Sequence, residues 1–240
     1  SGSFGGLAAN PIMILARALA ALKDENGRVT LPGFYDGVQD LTDELRRDWA
    51  ALGFDAAEFL GRVGLKQPIG ERGRTALEMV WNRPTAEING IAGGYAGEGF
   101  KTVLPAEARA KVSFRLTGKQ DPDQIRAAFR AHVTSFVPSD CRVEFQEHGG
   151  SPASVMNTSD PAFLAAKQAL SAEWGREAAF IGAGGSIPIA GDFQQILGMD
   201  SMLIGFGRDD DRIHSPNEKY DVDSFVRGAR SWARILAALQ

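Results

Sequence analysis

The chain of 240 residues has little of several residue types on which functional sites depend. It contains one cysteine and three histidines, and its formal net charge is -4. The single cysteine, Cys141, excludes an internal disulfide, which fits a reducing cytoplasm. Cys141 also opens an apolar alternating segment, so we interpret it as a structural thiol rather than a nucleophile. The modest negative charge does not favour nucleic acid as a partner.

Long apolar runs are missing as well. None approaches the roughly 18 residues that a membrane-spanning helix needs. The segment Ser1–Gly6 has no basic region ahead of an apolar stretch, so a signal peptide is not expected. We therefore expect a cytoplasmic protein whose partners include neither membrane nor nucleic acid.

The scarcity of histidine bears directly on metal binding. His214 follows the apolar run Ser201–Phe206, which predicts a strand, and Glu218 lies close behind it. A neutral imidazole at such a position suits a divalent metal, but a catalytic zinc needs about three protein ligands. No second cluster of His, Cys, Asp and Glu has ligand spacing, and the run Asp209–Asp211 is interpreted as a solvated face. Either His214 is not a ligand or its partners lie outside this chain, and we favour the second.

Residues 1–150 predict an α+β arrangement. Asn10-Pro11 and Asp121-Pro122 are typical helix starts, since a capping side chain precedes proline at the first helical position. Between these helices and after them, alternation predicts three strands: Thr85–Ile91, Thr102–Leu116 and Cys141–Glu147. We expect an antiparallel sheet with one face covered by helices.

Residues 151–240 predict a different arrangement, beginning after the glycine-rich boundary His148–Pro152. Helices alternate with two short strands, Ala178–Ile181 and Ser201–Phe206, which is typical of a parallel α/β sheet. Two strands cannot close a core, because an isolated pair is marginal even with helices beside it. We therefore expect the remaining strands of this domain to come from elsewhere.

Four separated groups of residues carry a resemblance to a known family. They are Ser1–Gly6 with Asn10-Pro11; Gly33–Asp36; Gly99–Pro105 leading to Phe114–Leu116; and Gly184–Pro188 with Ile213–Glu218. In this order and at this spacing the chain resembles the C-terminal part of the zinc aminoacylase/carboxypeptidase family. That family includes cytosolic dipeptidases, acetylornithine deacetylase and succinyl-diaminopimelate desuccinylase, and the dipeptidase-like branch is the most similar.

The resemblance implies a fold and an activity. Residues 1–150 would be an α+β lid that also makes a homodimer, and residues 151–240 the C-terminal part of an α/β catalytic domain. The active site would hold two zinc ions and hydrolyse the amide bond of a dipeptide or an N-acyl amino acid. The chain would begin inside the lid, after its first strand, with the other metal ligands and the general base upstream. We therefore expect no catalytic residue in this chain, which would be inactive alone.

Five residues are predicted to serve the site of the intact enzyme. His214 is the predicted metal ligand. The guanidinium of Arg115 suits a substrate carboxylate, although a strand-end arginine also pairs with surface acids, and the Thr102 hydroxyl is a further donor or a plain strand threonine. By resemblance Gly185 and Ser186 line the substrate pocket, although the same glycine-rich turn suits other anions. Two alternatives therefore stay open: a non-catalytic dimerisation fragment and a small-anion binding protein.

Overall fold

A computed structural model of the chain describes residues 2–184, 187–208 and 210–240. No helix in these ranges combines the length and the hydropathy of a membrane span. The elements follow one another in this order: α1 (Pro11–Ala20), α2 (Asp43–Ala51), α3 (Ala56–Gly61), α4 (Ala76–Trp81), β1 (Thr85–Gly93), β2 (Ala108–Arg115), α5 (Pro122–Ser135), α6 (Pro161–Trp174), α7 (Pro188–Leu197) and α8 (Val222–Ala238).

The chain divides into two compact units. The first unit runs to Leu41, resumes over Phe54–Ser154 and includes a short segment from Ala183. The second unit comprises Thr42–Gly53, Val155–Gly182 and Ile187–Gln240, so α2 belongs with the later helices. The functional division at about residue 150 stays a prediction.

Local capping explains where the predicted helices begin. Asn10, Asp121 and Asp160 each accept a hydrogen bond, 2.8–2.9 Å long, from the backbone N–H two residues ahead. Proline follows each of them, and its missing N–H costs nothing at a first helical position. Thr75 and Glu78 form a reciprocal capping box at the start of α4. The predicted helix starts at Asn10-Pro11 and Asp121-Pro122 are confirmed.

The first unit is built on the antiparallel pair β1 and β2, whose register runs from Thr85 opposite Arg115 to Gly93 opposite Ala108. Along β2, side chains alternate between half-buried and exposed, which is the period of a sheet with one covered face. Helix α1 packs against both strands and against α5. The buried core consists of Leu19, Leu22, Val29, Leu31, Phe34, Ala86 and Ile125. The predicted antiparallel sheet covered by helices is confirmed.

Two predicted strand segments of this unit are not strands. Residues 102–107 precede β2 without joining it, and Cys141–Glu147 contains no strand residue. Instead, Phe145 packs edge-on against Phe129 of α5, with ring centroids 6.3 Å apart. A strand requires a hydrogen-bonded neighbour, and within the described ranges β1 and β2 pair only with each other. Both predictions are wrong for this reason.

In the second unit, α6 and α8 are held together by polar contacts. Trp174 Nε1 donates to Ser231 Oγ at 3.0 Å. Glu173 accepts from Arg230 Nε at 2.7 Å and from Arg234 Nε at 2.9 Å. Burial raises the pKa of Glu173, but the hydrogen bonds from Arg234 and Arg230 outweigh that effect and leave the pKa lowered. The ionised carboxylate therefore joins the two helices.

The two strands predicted for this unit are also not strands. Neither Ala178–Ile181 nor Ser201–Phe206 joins a ladder within the described part of the chain. Both segments still pack by side chains and isolated hydrogen bonds. Phe180 O accepts from Trp49 Nε1 at 2.9 Å, and the Phe206 ring stacks on Trp174 at 5.9 Å. The prediction is wrong here because parallel strands need neighbours that these residues do not supply.

Helix α8 exposes the more apolar of its two faces. Val222, Phe225 and Leu236 are 78%, 66% and 61% exposed, and their spacing places them in one stripe. The opposite face, with Ser224, Gly228, Ser231 and Ile235, is buried. We name the exposed set, which also includes Trp232, the α8 stripe. Helix α7 likewise exposes Ile189, Phe193, Ile196 and Leu197.

Candidate functional site

The predicted metal ligand His214 lies in a closed loop of the second unit, which we name the His214 loop (residues 211–219). Its two ends meet through two hydrogen bonds. The backbone N–H of Lys219 donates to Asp211 O at 3.0 Å, and Lys219 Nζ donates to Asp211 Oδ1 at 2.9 Å. The His214 side chain is exposed. The loop therefore presents an imidazole to solvent from a base that is closed by both backbone and side chains.

The backbone of the His214 loop is unusual. Arg212, His214 and Asn217 have positive φ values of 55°, 64° and 60°. A non-glycine residue in the left-handed region costs roughly 1–2 kcal/mol relative to the right-handed one. A turn hydrogen bond from Ser215 N to Arg212 O, 2.9 Å long, supports this conformation. Such conformations persist only where surrounding contacts stabilise them.

Lys219 is the charge at the centre of these contacts. Its Nζ lies 2.9 Å from Asp211 Oδ1 and 3.1 Å from both Asp210 Oδ2 and Asp221 Oδ2. The hydrogen bonds to these carboxylates, that of Asp211 first, raise the pKa of Lys219. The backbone N–H of Arg208, with Lys219 next, lowers the pKa of Asp211. Both groups are therefore charged at neutral pH.

The burial of Asp211 corrects one interpretation of the sequence. Asp211 is 1% exposed, whereas the run Asp209–Asp211 is interpreted from sequence as a solvated face. That interpretation is wrong for Asp211, because Arg208 N donates to Oδ2 at 2.7 Å and Lys219 satisfies Oδ1. Asp210 is exposed, and Asp209 lies outside the described residues. One feature of the sequence could have predicted this burial. Lys219 is the only lysine after Lys167, and it lies between aspartates with which it can pair.

The donor chemistry of His214 suits a divalent metal. Within the described ranges no hydrogen bond or ion pair engages the His214 ring, so no other residue there holds its nitrogens. In the same ranges, one group of three His, Cys, Asp or Glu side chains lies close enough together to hold a metal ion. It consists of Asp210, Asp211 and Asp221 and does not include His214. Lys219 Nζ already lies within 3.1 Å of an oxygen of each of these three carboxylates. His214 thus fits a metal as one donor of a set that these residues do not complete.

The two predicted substrate-binding residues that can be described lie in the first unit. Arg115 ends β2 on the exposed face of the sheet, opposite Thr85. Thr102 is exposed in the irregular segment before β2. The other two predicted residues, Gly185 and Ser186, lie outside the described residues. Just beyond them α7 begins at Pro188, after an N-cap residue, Ile187, whose side chain makes no capping hydrogen bond.

A polar cavity of about 240 Å³ in the first unit was not predicted. Its lining residues are Arg28, Tyr35, Val38, Asp40, Arg74 and Arg83. Burial raises the pKa of Tyr35. The arginines are paired with carboxylates: Arg74 Nη2 lies 2.7 Å from Asp40 Oδ1, and Arg83 Nε lies 2.7 Å from Glu71 Oε2. This charge balance indicates a structural ion-pair network rather than an anion site.

Comparison with known proteins relates both units to one group of enzymes. Residues 1–141 match the family model of the peptidase dimerisation domain. The chain is 32% identical over 239 residues to Cys-Gly metallodipeptidase DUG1 of Candida albicans, covering 96% of this chain and 48% of that protein. It is 31% identical over 236 residues to Beta-Ala-His dipeptidase of Homo sapiens, covering 97% of this chain and 46% of that protein.

The fold agrees with solved structures. The M20 family metallo-carboxypeptidase Sso-CP2 of Sulfolobus solfataricus superposes with a TM-score of 0.84 at 28% identity, covering 98% of this chain and 53% of that chain. The chain thus spans about half the length of the curated relatives it matches.

Proposed function

The chain belongs to the M20 peptidase family, and from this premise we propose that it forms part of a metal-dependent hydrolase of the amide bond in dipeptides or N-acyl amino acids. The observation that carries the proposal is the similarity to a metallodipeptidase over 96% of the chain, which includes both units. The relatives are named for Cys-Gly and beta-Ala-His. Because these substrates differ in their side chains, the proposal specifies a dipeptide and no side chain.

One metal ligand of this hydrolase is assigned to His214. We propose two zinc ions per active site, with the remaining donors on polypeptide beyond these residues, since a catalytic zinc takes about three protein ligands. When bound, such a metal polarises the scissile carbonyl and lowers the pKa of a bound water to about 7. The part played by this chain is to hold the His214 imidazole on a closed loop. Two observations support the assignment. His214 has a left-handed backbone, and its ring makes no hydrogen bond or ion pair with the residues that the structure describes.

The remaining roles concern the substrate. Arg115 is assigned to the substrate carboxylate, because a guanidinium grips two oxygens with parallel hydrogen bonds and the exposed sheet face leaves it accessible. Thr102 is assigned as a second donor, and Gly185 and Ser186 as pocket lining. In a homodimer formed through the first unit, Arg115 would act on the active site of the neighbouring subunit. The match to a dimerisation-domain model supports the dimer.

The exposed apolar faces support a larger assembled protein. Full burial of a Val, Leu or Phe side chain contributes about 1.5–3 kcal/mol, and large exposed apolar patches mark surfaces that other protein covers. The α8 stripe and the exposed side chains of α7 form such surfaces in the second unit. We therefore assign residues 151–240 to the C-terminal part of a catalytic domain and residues 1–150 to the lid. Without the covering polypeptide, the chain would dimerise and not catalyse.

A cytoplasmic setting completes the proposal. Its support is that the one cysteine, Cys141, cannot form a disulfide within the chain.

The test is metal analysis and dipeptide turnover of the full-length protein, with His148→Ala as the matched control for His214→Ala. Both histidines are exposed, and His148 lies in the first unit. We expect His214→Ala to lose bound metal and turnover together, and His148→Ala to keep both. Full metal content without amide hydrolysis would overturn the proposed activity. Unchanged metal content in His214→Ala would overturn the ligand assignment.

A further inference from the structure

We propose that Lys219 is a positioning residue, whose ammonium closes the His214 loop on Asp211, Asp210 and Asp221 and so fixes the backbone that presents His214. The inference deepens the proposed function and rests on it for the role of His214 as a metal ligand. It concerns residues to which neither the family match nor the named relatives give a role.

The stoichiometry of the contact favours lysine at this position. An ammonium has three N–H donors and no acceptor. Lys219 Nζ has three carboxylate neighbours, at 2.9 Å from Asp211 Oδ1 and 3.1 Å from Asp210 Oδ2 and Asp221 Oδ2. Two donors are hydrogen-bonded, one to Asp211 and one to Asp221, and Asp210 lies within ion-pair distance of the same ammonium. A guanidinium is larger and planar, and it would not reproduce this compact arrangement.

Asp211 gives the arrangement its rigidity. Its carboxylate is buried, and both oxygens are satisfied, one by Lys219 Nζ and the other by the backbone N–H of Arg208 at 2.7 Å. Its backbone carbonyl accepts from Lys219 N at 3.0 Å. One residue thus holds the side chain and the main chain of Lys219 at the same time. The loop between them cannot open without breaking both hydrogen bonds.

The closed loop is what the strained backbone requires. Arg212, His214 and Asn217, all with positive φ, lie between the two closing residues. Such conformations persist only where several surrounding contacts hold the backbone in place. Opening the loop would release these residues to their preferred right-handed or extended conformations. The Cα–Cβ direction of His214 would change with them.

The same geometry excludes the three aspartates as a vacant metal site. Their oxygens lie within 4.8 Å of one another, which is a spacing that a cation accepts. The Lys219 ammonium already lies between them, so a divalent metal would first have to displace a paired charge. The cluster therefore acts on the metal through His214 and not by coordination.

The experiment compares Lys219→Met with Lys167→Met in the full-length protein. Lys167 also pairs with carboxylates of the second unit, at 3.1 Å from Glu177, and lies outside the His214 loop. Calorimetric titration of metal-depleted protein with Zn²⁺ is the first readout, and the absorption spectrum of the Co²⁺-loaded protein is the second. We expect Lys219→Met to weaken metal binding about 10–100-fold, the range typical of losing a residue that orients a metal ligand. Lys167→Met should match the parent protein.

A metal-independent readout covers the case in which Lys219→Met folds poorly. Trypsin cleavage after Arg212, followed by mass spectrometry on metal-depleted protein, reports opening of the loop. We expect faster cleavage there in Asp221→Asn, which keeps Asp211 and Lys219, and unchanged cleavage in Lys167→Met. The positioning role would be overturned if Lys219→Met and Asp221→Asn both matched Lys167→Met. The quantities compared are metal affinity, the Co²⁺ spectrum and the rate of cleavage after Arg212.

His214→Ala, measured in parallel, separates the two proposals. If His214→Ala keeps its metal affinity, the ligand assignment in the proposed function fails. If His214→Ala loses metal while Lys219→Met behaves as Lys167→Met does, only the positioning role fails. Restoration of metal affinity by Lys219→Arg would contradict the requirement for a compact three-donor charge.

Discussion

Glu71 and Arg83 form a two-pronged ion pair inside the first unit. Arg83 Nε lies 2.7 Å from Glu71 Oε2, and Arg83 Nη2 lies 2.9 Å from Glu71 Oε1. Both side chains are 6% exposed. Two parallel hydrogen bonds between a guanidinium and a carboxylate fix orientation as well as charge. Because Arg28 also pairs with Glu71, one carboxylate joins the segment after α1 to the residues just before β1.

Glu71→Gln is expected to destabilise the chain strongly. The change leaves the buried Arg83 guanidinium with only the mostly exposed Asp40, 3.5 Å away, as a counter-charge. We expect the free energy of unfolding to fall by about 3 kcal/mol, measured by denaturant titration. The control is Glu107→Gln at the surface pair with Arg109, where the change should stay under about 1 kcal/mol. Equal losses in the two variants would contradict the importance of burial.

Arg115→Ala tests the proposed grip on the substrate carboxylate. A charge-assisted hydrogen bond contributes about 1.5–3 kcal/mol, so kcat/KM for a dipeptide should fall about 10–100-fold. Stability should not change, because Arg115 is exposed at the end of β2. Arg109→Ala, on the same exposed face of β2, is the matched control and should keep full kcat/KM. A loss of the same size in Arg109→Ala would point to a general charge effect on the sheet.

Mixing two impaired variants tests whether Arg115 acts across the dimer. If His214 and Arg115 of one active site come from different subunits, a mixed dimer of His214→Ala and Arg115→Ala contains one intact site. Random reassociation at equal amounts makes half of the dimers mixed, so about a quarter of the parent activity should return. The measurement is turnover before and after co-refolding. No recovery in a mixture shown to contain mixed dimers would place both residues in one subunit's site.

The pair Asp211–Lys219 has a defined pH dependence. The pKa of Asp211 is lowered, chiefly by Arg208 N and then by Lys219, and the pKa of Lys219 is raised, chiefly by Asp211. A lowered acid pKa stabilises the fold above the unfolded value near 4, and this effect is lost as pH falls through the folded value. A raised lysine pKa stabilises the fold below the unfolded value near 10, and this effect is lost only as pH rises through the folded value. Both contributions are therefore complete between about pH 5 and 9.

The corresponding measurement is the free energy of unfolding of the parent chain and of Asp211→Asn as a function of pH. We expect a constant difference from about pH 5 to 9 and a shrinking difference below about pH 4. Asp192→Asn, at an exposed position of α7, should show little difference at any pH. A difference that grows towards acid pH would contradict the direction of the Asp211 shift.

Gly228→Ala should destabilise α8 although alanine favours helices. A Cβ at Gly228 would lie 2.7 Å from Phe206 Cδ2, and the Phe206 ring is stacked on Trp174, so it cannot easily move away. Overpacking of this kind costs about 1–3 kcal/mol. Gly61→Ala at the end of α3 meets no atom within 4 Å and should be neutral or slightly stabilising. Thermal unfolding of both variants provides the test, and a rise in Tm for Gly228→Ala would contradict the packing.

Structure that depends on neighbouring residues can be predicted well from the sequence. The cap and proline pairs at Asn10, Asp121 and Asp160 determine helix starts through contacts within two residues, so they are visible in the sequence. The alternation along β2 likewise predicts which side chains are covered. These signals need no knowledge of distant residues.

Pairing between residues that are distant in the sequence is predicted poorly. The apolar segments Cys141–Glu147 and Ser201–Phe206 have strand composition, but a strand depends on a neighbour that composition does not reveal. The burial of Asp211 has the same cause, since an aspartate next to other aspartates becomes buried only when Lys219 returns to it across the loop. The ligand role of His214 stays a prediction, and so do the roles of Arg115, Thr102, Gly185 and Ser186.

The α8 stripe places conflicting requirements on single positions. Leu236 is 61% exposed, so Leu236→Lys would raise the solubility of these 240 residues expressed by themselves. In the assembled enzyme that we propose, the same lysine would enter a desolvated interior and oppose assembly. A screen for well-behaved soluble variants of the isolated polypeptide would therefore enrich the substitutions that the working enzyme cannot accept.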